Sequence, residues 1–519
     1  MHLKDILHEG RFTDMKKLAA VFLVTLMVSI TGSSVLAAGS RTEPPLKPGL
    51  DCQLTWNRPT GYKSSSLMLA NLAFEPNPHL GLGFPPHDLS TYYLFPQCGF
   101  GLVRFTVYWQ YREPSKGQYR WNAMDNRIRV LQGLGIDVFM TFQCDAPWGT
   151  EPSDLPAANR PPVDLDDWSD FVTHVVQRYN MDGVDDMPGL QRPVLYYQFI
   201  NEWPSPRNNY GGWTGTIDQL IDLLNASYDA VKQTDPQAEV VLGGIPSIGL
   251  DAMVLNAGEG DYVARRFYND TVRDSLTVEI AQHPQVAENV AVREQVLAES
   301  RYDMVDLHMY GPVEYNQYRI DRMRESVGDV PLVSAECGGP NLAYDPDITP
   351  EEHFLAAMDI NLDALSRDLK YTIWLSMFGR EYDPDSGPTW GNSQLQLIDA
   401  DRRPTGGFWG YHLLAAVLDG MEGVEKEGPG IYIVHRTEKP DIYVAWQTEA
   451  NSTYQLPSSV QAQEMMVVTD ALYGIYEIET PPADGLLNLG PLPTVVSEEL
   501  PGGAYVAGQS PTLVPLEFP

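Results

Sequence analysis

The sequence predicts an α/β protein, a (β/α)8 barrel followed by a C-terminal antiparallel β-sandwich. Between residues 65 and 420, short apolar, β-rich runs alternate eight times with longer segments of helical period, the pattern of repeated βα units around a parallel sheet. After about residue 421 the long helical segments stop, and short strand-like runs punctuated by Gly, Pro and Asn take over. A chain of 519 residues has room for both parts.

The strand candidates, in order, are SLMLANL (66–72), GLVRFTVYW (101–109), DVFMTFQC (137–144), VLYYQFIN (194–201), EVVLGGI (239–245), MVDLHMY (304–310), PLVSAEC (331–337) and YTIWLSMF (371–378). Each is a short apolar run of the kind that is buried on both faces of a parallel sheet. Between them, residues 122–135, 166–180, 216–233, 316–327 and 350–368 read as helices, several with an apolar i, i+3, i+4 face and a capping residue at the start, Asn122 among them. A last helix at 406–420 closes the ring. IYIVHR (431–436), DIYVAWQ (441–447), EMMVVTD (464–470) and GIYEIET (474–480) are the strands of the sandwich, which spans residues 421–519.

The N-terminus reads as an export signal over residues 1–38. Lys16 and Lys17 precede the apolar run LAAVFLVTLMVSI (18–30), and small residues follow with a cleavage site of the Val35-Leu36-Ala37 type. The run is short for a bilayer span; an uncleaved anchor is the alternative. Residues 39–64 form a connecting segment. The four cysteines, Cys52, Cys98, Cys144 and Cys337, are too widely spaced for a local zinc site, and of the three pairings open to them Cys52 with Cys98 is preferred. With 69 acids against 35 bases and a net charge of −34, the chain is poorly suited to nucleic acid or an anionic membrane; the acidity reads as a solvated surface.

In such a barrel the C-terminal strand ends line one mouth, where sites are built. There the sequence places Arg104 and Trp109 (second strand), Asp145 and Trp148 (after the third), Asn201 and Glu202 (fourth), His308 and Tyr310 (sixth), Glu336 (seventh) and Trp374 (eighth). Two carboxylates, Glu202 and Glu336, arrive from strands across the mouth. An ionisable tip on a buried strand is costly unless it is paired. Convergent carboxylates suit glycoside hydrolysis, one protonating the departing oxygen and the other acting as nucleophile or base.

These residues carry a resemblance. Asn201-Glu202, HMY on the sixth strand, Glu336 in VSAECGGP, Trp374, and the segment VRFTVYWQYREPSKGQYRW (103–121) together resemble the retaining glycoside hydrolases of clan A, and the last is similar to the β-xylosidase and α-L-iduronidase family and its neighbours. The likeness covers residues 65–420. It implies Glu202 as general acid/base, Glu336 as nucleophile, Asn201 as donor to the sugar 2-hydroxyl, and a carbohydrate substrate with no cofactor. A Glu202 in apolar surroundings beside a second negative charge is expected to keep its proton, and Arg104 and Tyr310 are the groups to hold Glu336 ionised. Trp374 would offer a flat face to the sugar. The chain departs from the pattern at Trp203, where Pro often follows Asn-Glu, and at Cys337 beside the nucleophile.

Plainer readings exist for each residue. Arg104 is able to pair with any core acid, His308 to be a satisfied core histidine, and Trp109, Trp148, Trp203, Trp213 and Trp390 to be packing residues. Glu113 reads as a loop-shaping residue, and Glu381, Asp383 and Asp385 as a solvated acidic loop. A non-catalytic carbohydrate-binding protein on the same scaffold is the alternative function. A metal-dependent hydrolase would want several strand-end histidines, and His308 is the one available.

Overall fold

Eight parallel strands close a barrel in chain order: β1 (Asn77–Gly83), β2 (Phe100–Tyr108), β3 (Asp137–Gln143), β4 (Tyr196–Phe199), β5 (Glu239–Ile245), β6 (Met304–Tyr310), β7 (Leu332–Gly338) and β8 (Thr372–Trp374). The computed structural model describes residues 67–69, 74–205, 208, 211–268, 271–339, 349–378, 396–399, 403–447, 449, 451–501 and 504–506. The expected signal segment, residues 39–64, Cys52, Trp390 and the acidic loop of Glu381, Asp383 and Asp385 lie outside them.

Strands β2 to β8 fall on the runs expected from sequence. The first does not: β1 is NPHLGLG, and part of SLMLANL, Leu67–Leu69, is a strand of the C-terminal sheet instead. The apolar run was the stronger strand signal, but a barrel's first strand needs room as well as hydrophobicity. A Cβ on Gly81 would stand 2.8 Å from Ile373 Cγ1 of β8, so glycine is what lets β1 approach its neighbour.

Helices Asn122–Gly133, Leu165–Tyr179, Ile217–Thr234, Asn316–Val327, Pro350–Ser366 and Gly406–Val417 match the expected ones. Thr216 with Gln219 and Thr349 with Glu352 form reciprocal capping boxes that fix two of the starts. Asn122 is the first helical residue rather than the cap; Trp121 holds that position without a side-chain bond. Two helices that the periodicity did not single out, Ser247–Ala257 and Pro284–Glu299, lie between β5 and β6 with a hairpin of Ala264–Tyr268 and Thr271–Leu276.

Leu102, Phe139, Val241, Met304, Val333, Ala335, Tyr371 and Ile373 form one buried cluster inside the lumen. The opposite faces of the same strands pack on the helices, so the barrel is a filled core. The C-terminal part is a sandwich of unequal layers. Its eight-stranded antiparallel sheet runs in the order Met421–Gly428, Ile431–Arg436, Ile442–Ala445, Thr494–Val496, Met465–Asp470, Ile475–Glu479, Leu67–Leu69, Ala504–Val506, and the smaller layer is the pair Thr453–Gln455 and Leu486–Asn488. One face joins the barrel core through Tyr432, Val434, Val444 and Tyr476. The other packs Ile433, Tyr443 and Val496 against Leu487 of the small layer.

Candidate active site

The mouth is built by two local departures from regular backbone. Along β7, Val333 and Ala335 point into the lumen while Leu332 joins the helix-facing core. Strict alternation would therefore turn Glu336 outward. The pairing with β6 slips instead: Val333 lies opposite Asp306 and Glu336 opposite His308, three steps against two. This bulge rotates Glu336 into the mouth. At the end of β4, Ile200 and Glu202 both take left-handed φ values, 60° and 45°, unusual for a β-branched residue and for any residue other than glycine. Surrounding contacts hold this turn. Trp203 Nε1 donates to Gly243 O at 3.1 Å, Gly212 N to Asn201 O at 2.7 Å, and Asn159 takes Cys144 N and gives Nδ2 to Gly212 O. Gly243 and Gly211 leave the space that the turn occupies; their Cβ atoms would meet Ile200 O at 1.8 Å and Asn201 O at 2.2 Å.

Arg104 is the hub. Its Nη1 donates to Glu336 Oε1 at 2.8 Å, its Nη2 to Asn201 Oδ1 at 2.7 Å and Gln198 Oε1 at 2.8 Å, and its Nε to Thr141 Oγ1 at 2.8 Å. Tyr310 OH donates to Glu336 Oε2 at 3.2 Å. Because Asn201 accepts through its oxygen, its amide nitrogen remains a donor. Beneath lies Asp306, fully buried, which accepts from Gln198 Nε2 and from Ala335 N, each at 2.6 Å.

His308 stands between the acids. Its Nδ1 is 3.0 Å from Glu202 Oε1 and 3.4 Å from Glu336 Oε2, and its Nε2 is 3.2 Å from Asp306 Oδ2, a charge contact whose angle falls short of a hydrogen bond. Burial alone would lower the imidazole pKa. Glu336, Asp306 and Glu202 outweigh it and push the value up to about 10, so the ring is a cation at neutral pH. Burial likewise works to raise Asp306, but the His308 and Arg104 charges and the Ala335 amide hold it below the usual carboxylate range. Glu202 is the more open of the pair, and Asn208 Nδ2 donates to its Oε2 at 2.6 Å. One oxygen of Glu202, one oxygen of Glu336 and a ring nitrogen of His308 lie within 4.8 Å of one another.

Acid–His–acid triplets of this kind sometimes hold a metal; here Glu336 is already bonded to Arg104, and His308 stands among Glu202, Glu336 and Asp306.

Of the residues expected at the mouth, Arg104, Asn201, Glu202, His308, Tyr310 and Glu336 form this one network. Asp145 is nearby in the chain but separate; it accepts from Gln110 N at 3.0 Å and Gln110 Nε2 at 2.6 Å, and burial of its carboxyl pushes the pKa up to about 7. Trp109 and Trp374 depart from the expectation, whereas Trp148 is only half-buried. Trp109 is fully buried between Trp148, Trp168 and Phe171, its Nε1 donating to Glu113 Oε2 at 2.7 Å. Trp148 is half-buried and donates to Glu113 O at 2.7 Å, so Glu113 organises the loop that both support. Trp374 also turns away. It pairs with Leu82 and Cys337 of the helix-facing core and packs on Tyr411 and His353, while Tyr371 and Ile373 take the lumen. Its one-residue parity places it outside the barrel.

Thr141, Gln198, Asp306 and Asn208 were missed from sequence. Alternation was able to find Asp306, two residues before His308 on one face; no spacing pointed to Asn208, which reaches Glu202 through the loop. Cys98, Cys144 and Cys337 are buried and form no disulfide with one another, and Cys52, the partner preferred for Cys98, lies outside the described residues.

No protein-family model and no curated protein matches the chain. Solved structures do. A family 39 glycoside hydrolase from the gut symbiont Bacteroides cellulosilyticus aligns at TM-score 0.52 and 15% identity over 82% of this chain and 81% of that one. A glucosidase from Croceicoccus marinus aligns at TM-score 0.52 and 12% identity, covering 83% and 98%. A monomeric β-xylosidase from Caulobacter crescentus aligns at TM-score 0.51 and 14% identity, covering 83% and 97%. At these identities the likeness is one of fold: the chain is a (β/α)8 barrel with an appended β-sandwich, as expected from its sequence.

Proposed function

We propose that the protein is an exported glycoside hydrolase that cleaves O-glycosidic bonds of oligo- or polysaccharides with retention of anomeric configuration. The observation that carries this reading is the approach of Glu202 and Glu336, one carboxylate oxygen of each within 4.8 Å of the other, at a barrel mouth with Arg104 fastened to Glu336. Retaining pairs stand at about 5–5.5 Å, whereas inverting pairs leave roughly 6.5–9.5 Å for a water between them. The barrel neighbours named above, all described as glycosidases, add the weight of analogy.

Each group has a derivable task. Glu336 is the nucleophile: Arg104 and Tyr310 fix its oxygens, so little reorganisation precedes attack on the anomeric carbon. Glu202 gives its proton to the departing oxygen and, in the second step, takes one from water. Asn201, its oxygen held by Arg104, offers its amide N–H to the sugar 2-hydroxyl, a bond that strengthens in the oxocarbenium-like transition state.

The test is a screen of aryl glycosides and polysaccharides, with the first-formed anomer followed by proton NMR. Retention is expected. An inverted first product would exclude the mechanism, and inactivity on every glycoside in a folded, monodisperse sample would exclude the function.

A further inference from the structure

The expected sugar platform, Trp374, faces the helices. The mouth has another aromatic ring. Phe84 follows directly on Gly83, the last residue of β1, and Gly83 is the register partner of Arg104. Its side chain is 42% exposed, and it is the one aromatic among the exposed large hydrophobics of the described residues. The Arg104 guanidinium carbon lies 5.9 Å from the ring centroid, so one guanidinium separates the ring from Glu336 and Asn201. The backbone beneath the ring is at φ 48°, a left-handed value that a bulky residue pays for in strain.

Two costs thus fall on one residue: a strained backbone and a ring left in water. The Arg104 contact offsets only part of the second cost, and a strained outlier at a site mouth is grounds for a functional hypothesis. We infer that Phe84 is the platform on which a pyranose ring of the substrate stacks beside Arg104 and Glu336. The C–H face of a sugar ring is apolar and its edge is hydroxylated, which matches an exposed aromatic face bordered by Arg104 and Asn201. The inference rests on the glycosidase reading of the site and adds a specificity residue to it.

The experiment measures binding apart from turnover. In a Glu202→Gln background, which leaves the Arg104–Glu336 pair intact, calorimetry with xylohexaose, cellohexaose and mannohexaose is compared for Phe84, Phe84→Tyr, Phe84→Leu and Phe84→Gly. Glycine accepts φ 48° freely, so Phe84→Gly is expected to melt at or above the parent temperature while its affinity falls roughly ten- to hundredfold, the worth of burying one aromatic face. Phe84→Tyr should bind within about threefold of the parent and Phe84→Leu should be nearly as weak as Phe84→Gly, since stacking needs a flat ring. Parent-like affinity in Phe84→Gly, or full rescue by Phe84→Leu, would overturn the platform and make the ring a cover for Arg104; should Phe84→Gly not fold, the Tyr and Leu pair decides alone. Parent binding that persists in a wild-type protein unable to hydrolyse any of these glycans sinks the glycosidase reading and leaves the platform standing. No glycan binding by the parent sinks both.

Discussion

Gly244→Ala is the smallest change that reaches the centre of the site. A Cβ at this position would stand 1.9 Å from His308 Nε2, 2.3 Å from His308 Cδ2 and 2.7 Å from Asp306 Oδ2, where ordinary contacts begin at 3.4 Å. The strand cannot back away, because the neighbouring Gly243 already lies against the Ile200 carbonyl. His308 must move instead, and it has Glu202 and Glu336 on its other side. Overpacking of a tight core costs about 1–3 kcal/mol, and a displacement of about 1 Å in a catalytic group costs roughly a hundredfold in rate. Differential scanning calorimetry and kcat/KM on an aryl glycoside measure the two effects. Gly133→Ala is the control: its Cβ meets open space in a helix, so it should gain about 0.5–1 kcal/mol and leave kcat/KM unchanged. Parent-like kcat/KM in Gly244→Ala would refute the claim that the position of His308 governs the carboxylate pair.

Glu336→Ala should nearly abolish turnover with the fold intact, and azide should restore some reaction to give the glycosyl azide of inverted configuration; product NMR reads the outcome. Glu202→Ala should retain glycosylation by activated aryl glycosides, accumulate the intermediate, and give the retained azide adduct, whereas equal losses for good and poor leaving groups would remove Glu202 from the acid role. Asp145 supplies a pH test: its folded pKa is raised from 3.8 to about 7, so the native state binds more protons than the unfolded one between those values, and stability falls as pH rises through that window. Asp145→Asn should flatten that fall in melting temperature between about pH 4 and 7. Trp374→Ala should cost about 3–5 kcal/mol as a core cavity, while Trp374→Phe should keep glycan affinity; a large affinity loss without a stability loss would return Trp374 to the mouth.

The barrel was legible because seven of its strands are predominantly apolar runs, a signal that burial on both faces imposes. NPHLGLG carries too much Pro, His and Gly to give that signal, and SLMLANL gave it from the wrong sheet. Strand ends were legible as a set, but which way each side chain turns depends on parity, and parity depends on bulges. Glu336 faces the mouth only because β7 holds one extra residue, and Trp374 faces away because β8 holds none there. The same alternation, applied back from His308, reaches Asp306; Gln198 stands three residues before Asn201, across the turn at Ile200, and Asn208 depends on the path of a loop, so no local pattern encodes either.

Leu67–Leu69 lies between Ile475–Glu479 and Ala504–Val506, paired antiparallel to both. The first described strand of the chain is therefore held by the last ones. On a ribosome it emerges several hundred residues before its partners exist, and it waits with both edges unpaired while the barrel between them folds. At equilibrium such a long closure adds little entropy penalty, because the cost grows only with the logarithm of loop length; in time it is expensive, since long-range pairing is slow. The barrel is accordingly not a unit that a cut near residue 420 would release: the cut would orphan a strand at the opposite end of the chain.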